Sequence, residues 1–181
     1  MPVDPPAREA NEPQRSSEHP WYVLRVKSNC EKFVACTLRH KGYTEFLPVC
    51  AEAHRWSDRL KEVQVPLFRG YVFCRFDAKR RLPILKIPGV IGAVGVGGVP
   101  EAVAEGEIAA LQAVVASGLL LQPWPFLAVG ERVVIQHGPL RHVQGMLTEI
   151  KGERKLVLSI SLLQRSVAVQ IDRADVRPVA A

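Results

Sequence analysis

Trp21, Val23 and Arg25 alternate with Tyr22, Leu24 and Val26, a two-residue period that predicts a strand with at least one well-buried face. Ser28 and Glu31 then form an S-x-x-E capping box ahead of Phe33, Val34, Thr37 and Leu38 at helical spacing, and Gly42 is placed as a stop. Short strand-like runs follow over Thr44 to Pro48, Ala51 to Trp56 and Lys61 to Val65, with Ser57 and Asp58 as the turn of a hairpin. The run Tyr71 to Phe76, approached through Pro66 and Gly70, is the most strand-like in the chain and the candidate central strand. Asp77 opens a basic turn, a short helix starts near Pro83, and Pro88 and Gly89 end it. Val90 to Val103 is glycine-rich and apolar, the composition of a loop with an edge strand. Glu105 and Glu107 then open a second amphipathic helix carrying Ile108, Leu111 and Val115, stopped at Gly118.

Leu119 to Phe126 contains Pro123, Trp124 and Pro125 and reads as a stiff connector, so the domain boundary is placed there. Beyond it the periodicity becomes purely short-strand: Glu131 to Gln136, Val143 to Ile150, Lys155 to Ile160, Val167 to Ile171 and Asp175 to Val179. Turn signals such as His137-Gly138-Pro139 and Lys151-Gly152-Glu153 separate them. Short strands so closely spaced predict a small closed or nearly closed barrel.

Charge adds a direction to this picture. The chain of 181 residues carries +6 overall, but residues 21–81 hold 13 basic and 6 acidic groups, a local +7 that favours a polyanion or an acidic protein surface. Residues 1–20 are proline-rich and polar, without the apolar run of a signal peptide, and are expected to form a disordered tail. No stretch approaches the roughly 18 apolar residues of a membrane span. Cys30, Cys36, Cys50 and Cys74 form no C-x-x-C pair and read as free thiols in a reducing compartment. A soluble, cytoplasmic protein is the expectation.

Candidate chemistry is thin. His54, Asp58 and Cys74 show no nucleophile–base spacing, and Gly95, Gly97 and Gly98 do not open a helix directly, so neither catalysis nor a phosphate loop is expected. His137 and His142 flank one turn without a nearby cysteine and read as surface residues rather than zinc ligands.

Several segments, in order, resemble the NusG family of transcription factors. Trp21-Tyr22-Val23-Leu24 is similar to the family's first strand, and Pro66-Leu67-Phe68-Arg69-Gly70-Tyr71-Val72-Phe73 to its P-L-F-P-G-Y-hydrophobic signature. Pro88-Gly89-Val90-Ile91-Gly92-Ala93-Val94-Gly95 resembles its P-G-V-x-x-hydrophobic-x-G segment. Gly130 to Ile135, Gly138-Pro139-Leu140 and Gly145 resemble the opening of a KOW barrel, and Leu162 to Val169 its late loop and strand. Two positions depart: Arg69 replaces the usual second proline and adds a cation, and His142 stands where the barrel motif has glycine, so that turn needs another backbone geometry. The Leu163 region, the short hairpin and the tail are similar to specialised paralogues of the RfaH, LoaP and UpxY type at least as much as to housekeeping members.

The resemblance implies an α+β protein. A NusG-type α/β sandwich over residues 21–118, an antiparallel sheet flanked by helices, is followed by a linker over 119–126 and a five-stranded KOW β-barrel over 127–181. It implies a monomeric, cofactor-free transcription elongation and antitermination factor that binds RNA polymerase at the β′ clamp helices. Tyr22, Phe68, Tyr71 and Phe73 would form the apolar depression for that contact, with Phe68 and Phe73 also readable as plain core. Lys27, Lys32, Arg80, Arg81 and Lys86 would contact the non-template DNA strand, with a solvated basic face, or the polymerase β gate loop for Lys79 to Leu82, as alternatives. Leu163, Gln164 and Arg165 would recruit a small-subunit ribosomal protein or Rho, unless Leu163 closes the barrel core. The competing reading is an RNA-binding module of ribosomal KOW type that does not bind polymerase.

Overall fold

The computed structural model describes residues 19–56, 59–119, 121–124, 131–150, 153–172 and 175–179. Most of the expected tail, the turn at Ser57 and Asp58, the connector residues Pro125 and Phe126, Gly130, and the turn at Lys151 and Gly152 lie outside the described residues.

Strand β1 (Trp21–Val26) is the centre of the N-terminal sheet. It pairs antiparallel with β5 (Tyr71–Arg75) on one side, and with β6 (Val90–Ala93) and β9 (Ala102–Val103) on the other. Strand β2 (Glu45–Phe46) extends the sheet beyond β5. Opposed residues share a face, and the register sets Tyr22 against Cys74, Val23 against Phe73 and Leu24 against Val72. One face therefore carries Tyr22, Leu24, Val26, Val72 and Cys74, which pack under the helices α1 (Glu31–His40) and α2 (Leu82–Leu85). The other face carries Trp21, Val23 and Phe73, which pack with the helix α3 (Glu105–Ala116).

The helices differ from the sequence reading in three details. The capping box does not form: Cys30 is the N-cap, no side chain caps the helix, and the Glu31 side chain turns to the Gly70 amide instead. The buried stripe of α1 is Val34, Ala35 and Leu38, leaving Phe33 54% exposed. On α3 the buried set is Ile108, Leu111 and Val114, an i, i+3, i+6 stripe that leaves Val115 at its margin. Pro83 sits in the first turn of α2, as expected.

Two hairpins stand apart from this sheet, β3 (Val49–Trp56) with β4 (Arg59–Pro66), and β7 (Gly95–Val96) with β8 (Val99–Pro100). The C-terminal sheet is antiparallel, in the order β10 (Leu121–Trp124), β14 (Arg165–Gln170), β13 (Glu153–Ile160), β12 (Gln144–Ile150), β11 (Glu131–Ile135) and β15 (Val176–Pro178). Strand β10 comes from the segment expected as connector. It lies at the sheet edge, where the missing N–H of Pro123 leaves no central ladder bond unmade.

Val133, Ile135, Leu156, Leu158, Ile160, Val167 and Val169 fill this second unit, and they are continuous with the Trp21, Phe73 and α3 side of the first. The fold is thus α+β with one apolar seam joining both sheets through α3.

Candidate functional site

The Pro66–Tyr71 segment is where the seam reaches the surface. Leu67 and Phe68 are buried, and the Leu67 amide donates to Pro48 O at 2.9 Å. Phe68 meets Phe73 edge-on at 5.8 Å, Phe73 lies 6.1 Å from Phe46, and Phe46 lies 6.5 Å from Trp21. The turn closes with the Tyr71 amide donating to Phe68 O at 3.1 Å, and Gly70 takes the left-handed φ of +84° that a side chain would resist. Tyr71 is left partly exposed on top of this aromatic stack. Arg69, in place of the family's second proline, pairs its guanidinium with Glu52 of β3 at 2.8 Å.

Three of the four residues expected to form the depression come together, namely Phe68, Tyr71 and Phe73. Tyr22 does not join them. Opposite Cys74 in register, it faces the helix side and packs on Phe76 at 4.7 Å.

The C-terminal unit reaches the same place. The segment Ser161–Leu163 forms a 3-10 turn, Gln164 takes φ +50°, and Arg165 begins β14 with its guanidinium 5.1 Å from the centre of the Tyr71 ring. Leu162 and Leu163 pack against the shared seam, while the Gln164 side chain donates to Ser161 O at 2.9 Å. One α-helical turn supplies a second contact: Glu107 accepts from Ser161 Oγ at 2.7 Å and from the Ser161 amide at 3.3 Å. The residues expected for polymerase and those expected for a recruited partner therefore touch each other. Glu107, Ser161 and Glu31 were not singled out as site residues, since each acts on a partner 39 or 54 positions away.

The basic residues occupy two places. Arg80, Arg81 and Lys86 flank α2, and the Lys27 backbone lies nearby, its N–H donating to Gly89 O at 2.8 Å. Lys32 points elsewhere, donating to Gln64 O of β4 at 2.8 Å. A groove of about 800 Å³ runs between α3 and the C-terminal sheet, with Glu107 on one wall and Arg132, Arg141 and His142 on the other. His142 meets the demand of its missing glycine by adopting φ +72° itself.

Among the described residues, no group of three or more His, Cys, Asp or Glu side chains converges on a metal position, and no helix is long and apolar enough to cross a membrane. His54 and Asp58 fall outside the described side chains, and Cys74 is fully buried. Burial beside Glu45 pushes the Cys74 thiol from 9.0 up to about 12. A raised folded value means that this thiol's contribution to stability is intact below about pH 9 and is lost as pH rises towards about 12. Cys36 is exposed on α1, with its sulfur 3.5 Å from His40 Nδ1. Iodoacetamide near neutral pH is expected to modify Cys36 first and to leave Cys74 intact until the protein unfolds. Peptide mass spectrometry showing both adducts appearing together in folded protein would contradict this placement.

The family model for the transcription termination factor NusG matches residues 19–112, a span that includes β1, the Pro66–Tyr71 turn and most of α3. The transcription termination/antitermination proteins NusG of Rickettsia prowazekii and Rickettsia felis are each 24% identical to this chain over 170 residues, covering 87% of it and 88% of each relative. A solved structure of Thermotoga maritima NusG, reported for its domain interaction, covers 91% of this chain and 99% of its own at 21% identity, with a TM-score of 0.54. That likeness bears on the fold, the helix-flanked sheet followed by the C-terminal antiparallel strands. With the family model matching more than half of its length, the chain belongs to the NusG family of non-enzymatic transcription termination and antitermination factors.

Proposed function

We propose that this chain binds RNA polymerase through the surface around Tyr71 and thereby favours processive elongation. The observation that carries this reading is the Tyr71 ring, partly exposed above a buried aromatic stack and already occupied, within the chain, by the Arg165 guanidinium. A supported aromatic of this kind offers a large contact area at small entropic cost. Phe68 and Phe73 back the ring, and Tyr22 stabilises the opposite face of the sheet. The clamp helices of the β′ subunit are the partner this reading names. A factor that binds the closed clamp better than the paused one shifts that equilibrium and suppresses pausing without any chemistry.

Arg80, Arg81, Lys86 and Lys27 supply phosphate contacts to the non-template DNA strand on this reading, and Lys79 to Leu82 also suit the polymerase β gate loop. Lys32, held by the hairpin, contributes less. Residues 21–118 act as the polymerase-binding domain, and 127–181, extended by the edge strand Leu121–Trp124 from the segment 119–126 expected as linker, act as the recruiting domain of a specialised paralogue. That domain captures a ribosomal small-subunit protein or Rho through Leu163, Gln164 and Arg165. Since Arg165 rests on Tyr71, both partners require the same internal contact to open.

A paused elongation complex provides the test. The wild-type chain is expected to shorten the pause, and Tyr71→Ala, shown by circular dichroism to be folded, to lose most of that effect, with affinity about tenfold weaker. The basic wall of Arg132 and Arg141 favours one competing reading, direct RNA binding by the C-terminal unit. A chain that ignores polymerase yet retains RNA in a steeply salt-dependent manner would replace the polymerase reading with that one.

A further inference from the structure

Glu31 is an acid without an ordinary reason to be buried. It is 5% exposed, it opens α1 without capping it, and its Oε1 accepts the Gly70 amide at 2.8 Å. Gly70 is held from the other side as well, because its carbonyl accepts the Val26 amide at 2.8 Å. Both polar groups of this one peptide residue are thus tied to the corner where β1 passes into α1. The second glycine turn converges on the same corner. Gly89 O accepts the Lys27 amide at 2.8 Å, and at φ +93° a Cβ on Gly89 would meet Cys30 Cβ at 3.0 Å. The Pro66–Gly70 and Pro88–Gly89 turns, far apart in sequence, are therefore fastened to one joint, and Tyr71 is the first residue beyond it.

We propose that Glu31 is a positioning residue for the Tyr71 surface: by holding the Gly70 amide it fixes the left-handed turn that sets where the Tyr71 ring stands. The proposal rests on the polymerase reading given above. Its physical basis is the asymmetry of buried hydrogen bonds. A part-buried backbone donor such as the Gly70 amide, stripped of its acceptor, either loses energy or moves to find water, and a left-handed glycine has wide conformational freedom in which to move. Gly70 is the hinge that such a release would act on, and displacement there is transmitted directly to the next residue. Reach, rather than charge, is the property required. Gln in place of Glu31 keeps an oxygen at the same distance, whereas Asp keeps the charge and falls one methylene short.

Full-length E31Q, E31D and E31A separate these properties, with core RNA polymerase affinity and amide hydrogen exchange by NMR as readouts. E31Q is expected to bind within about threefold of wild type. E31D and E31A are expected to bind about tenfold more weakly, with faster exchange at Gly70 and Tyr71 and unchanged exchange at Val157 and Val169 of the C-terminal sheet. E31D and E31A binding like wild type while Y71A binds weakly would overturn the role of Glu31 and leave the polymerase reading standing. E31Q as weak as E31A would overturn the hydrogen-bond basis. Exchange accelerated uniformly across the chain would reduce Glu31 to a general stability residue and overturn the positioning role. A wild-type chain that does not bind polymerase removes the functional reading, and this proposal with it.

Discussion

Replacing Glu107 with Arg is expected to raise the apparent affinity of the full chain for RNA polymerase by about three- to tenfold. Glu107 belongs to the first domain and Ser161 to the second, and between them the carboxyl group accepts both the hydroxyl and the amide of Ser161. Hydrogen bonds to a charged acceptor contribute about 1.5–3 kcal/mol when shielded from water, and about 1 kcal/mol or less where, as here, the contact is exposed. This contact holds the C-terminal unit where Arg165 covers Tyr71. A binding site available only in a minor open population shows an affinity lowered by that fraction, so weakening the cover strengthens binding. Glu105→Arg is the informative control. Glu105 lies in the same helical turn, but it pairs with Arg75 inside the first domain, so its loss is expected to leave polymerase affinity near wild type. Fluorescence anisotropy against core polymerase reads both variants. Weaker binding by E107R would place the Glu107 contact on the productive rather than the masking side.

Phe73→Ala is expected to cost about 3–5 kcal/mol, a large share of the roughly 5–15 kcal/mol that stabilises an ordinary domain. Phe73 is fully buried, contacts Phe46 and Phe68 ring to ring, and stands opposite Val23 at the centre of the sheet. Truncation removes a whole phenyl ring from that layer, and its neighbours, themselves pinned by backbone hydrogen bonds, collapse only partly into the gap. Phe33→Ala makes the contrast, because a side chain 54% exposed on α1 contributes about 0.5 kcal/mol or less. Urea unfolding distinguishes the two. Equal midpoints for both variants would contradict the burial assigned to each.

The architecture was legible because its signals are local. The alternation from Trp21 to Val26 and the β-branched and aromatic run from Tyr71 to Phe76 gave the two central strands, and five short strands beyond Phe126 gave the second sheet. What was missed depended on partners distant in sequence. An S-x-x-E box at Ser28 and Glu31 satisfies the local rule for a cap, but a part-buried amide 39 residues away competes for the same carboxyl group and wins. Pro123, Trp124 and Pro125 have the composition of a connector, yet an edge strand tolerates a proline that a central strand would not, and Leu121–Trp124 is such an edge.

The candidate surface was legible in part for the same reason. The spacing of Tyr71 and Phe73 fixed their common face. Placing Tyr22 required the register between β1 and β5, and opposite Cys74 it belongs to the helix side. No periodicity announces the meeting of Arg165 with Tyr71 or of Glu107 with Ser161, because these contacts arise only when the two sheets share one apolar seam.

The central claim is that the Tyr71 surface binds polymerase and that the chain's own C-terminal unit covers it. One titration tests it most directly: core RNA polymerase against wild type, Y71A and E107R at a single ionic strength, each variant shown beforehand to be folded. The account gives the order E107R tightest, wild type intermediate and Y71A weakest. Y71A binding as tightly as wild type would contradict it.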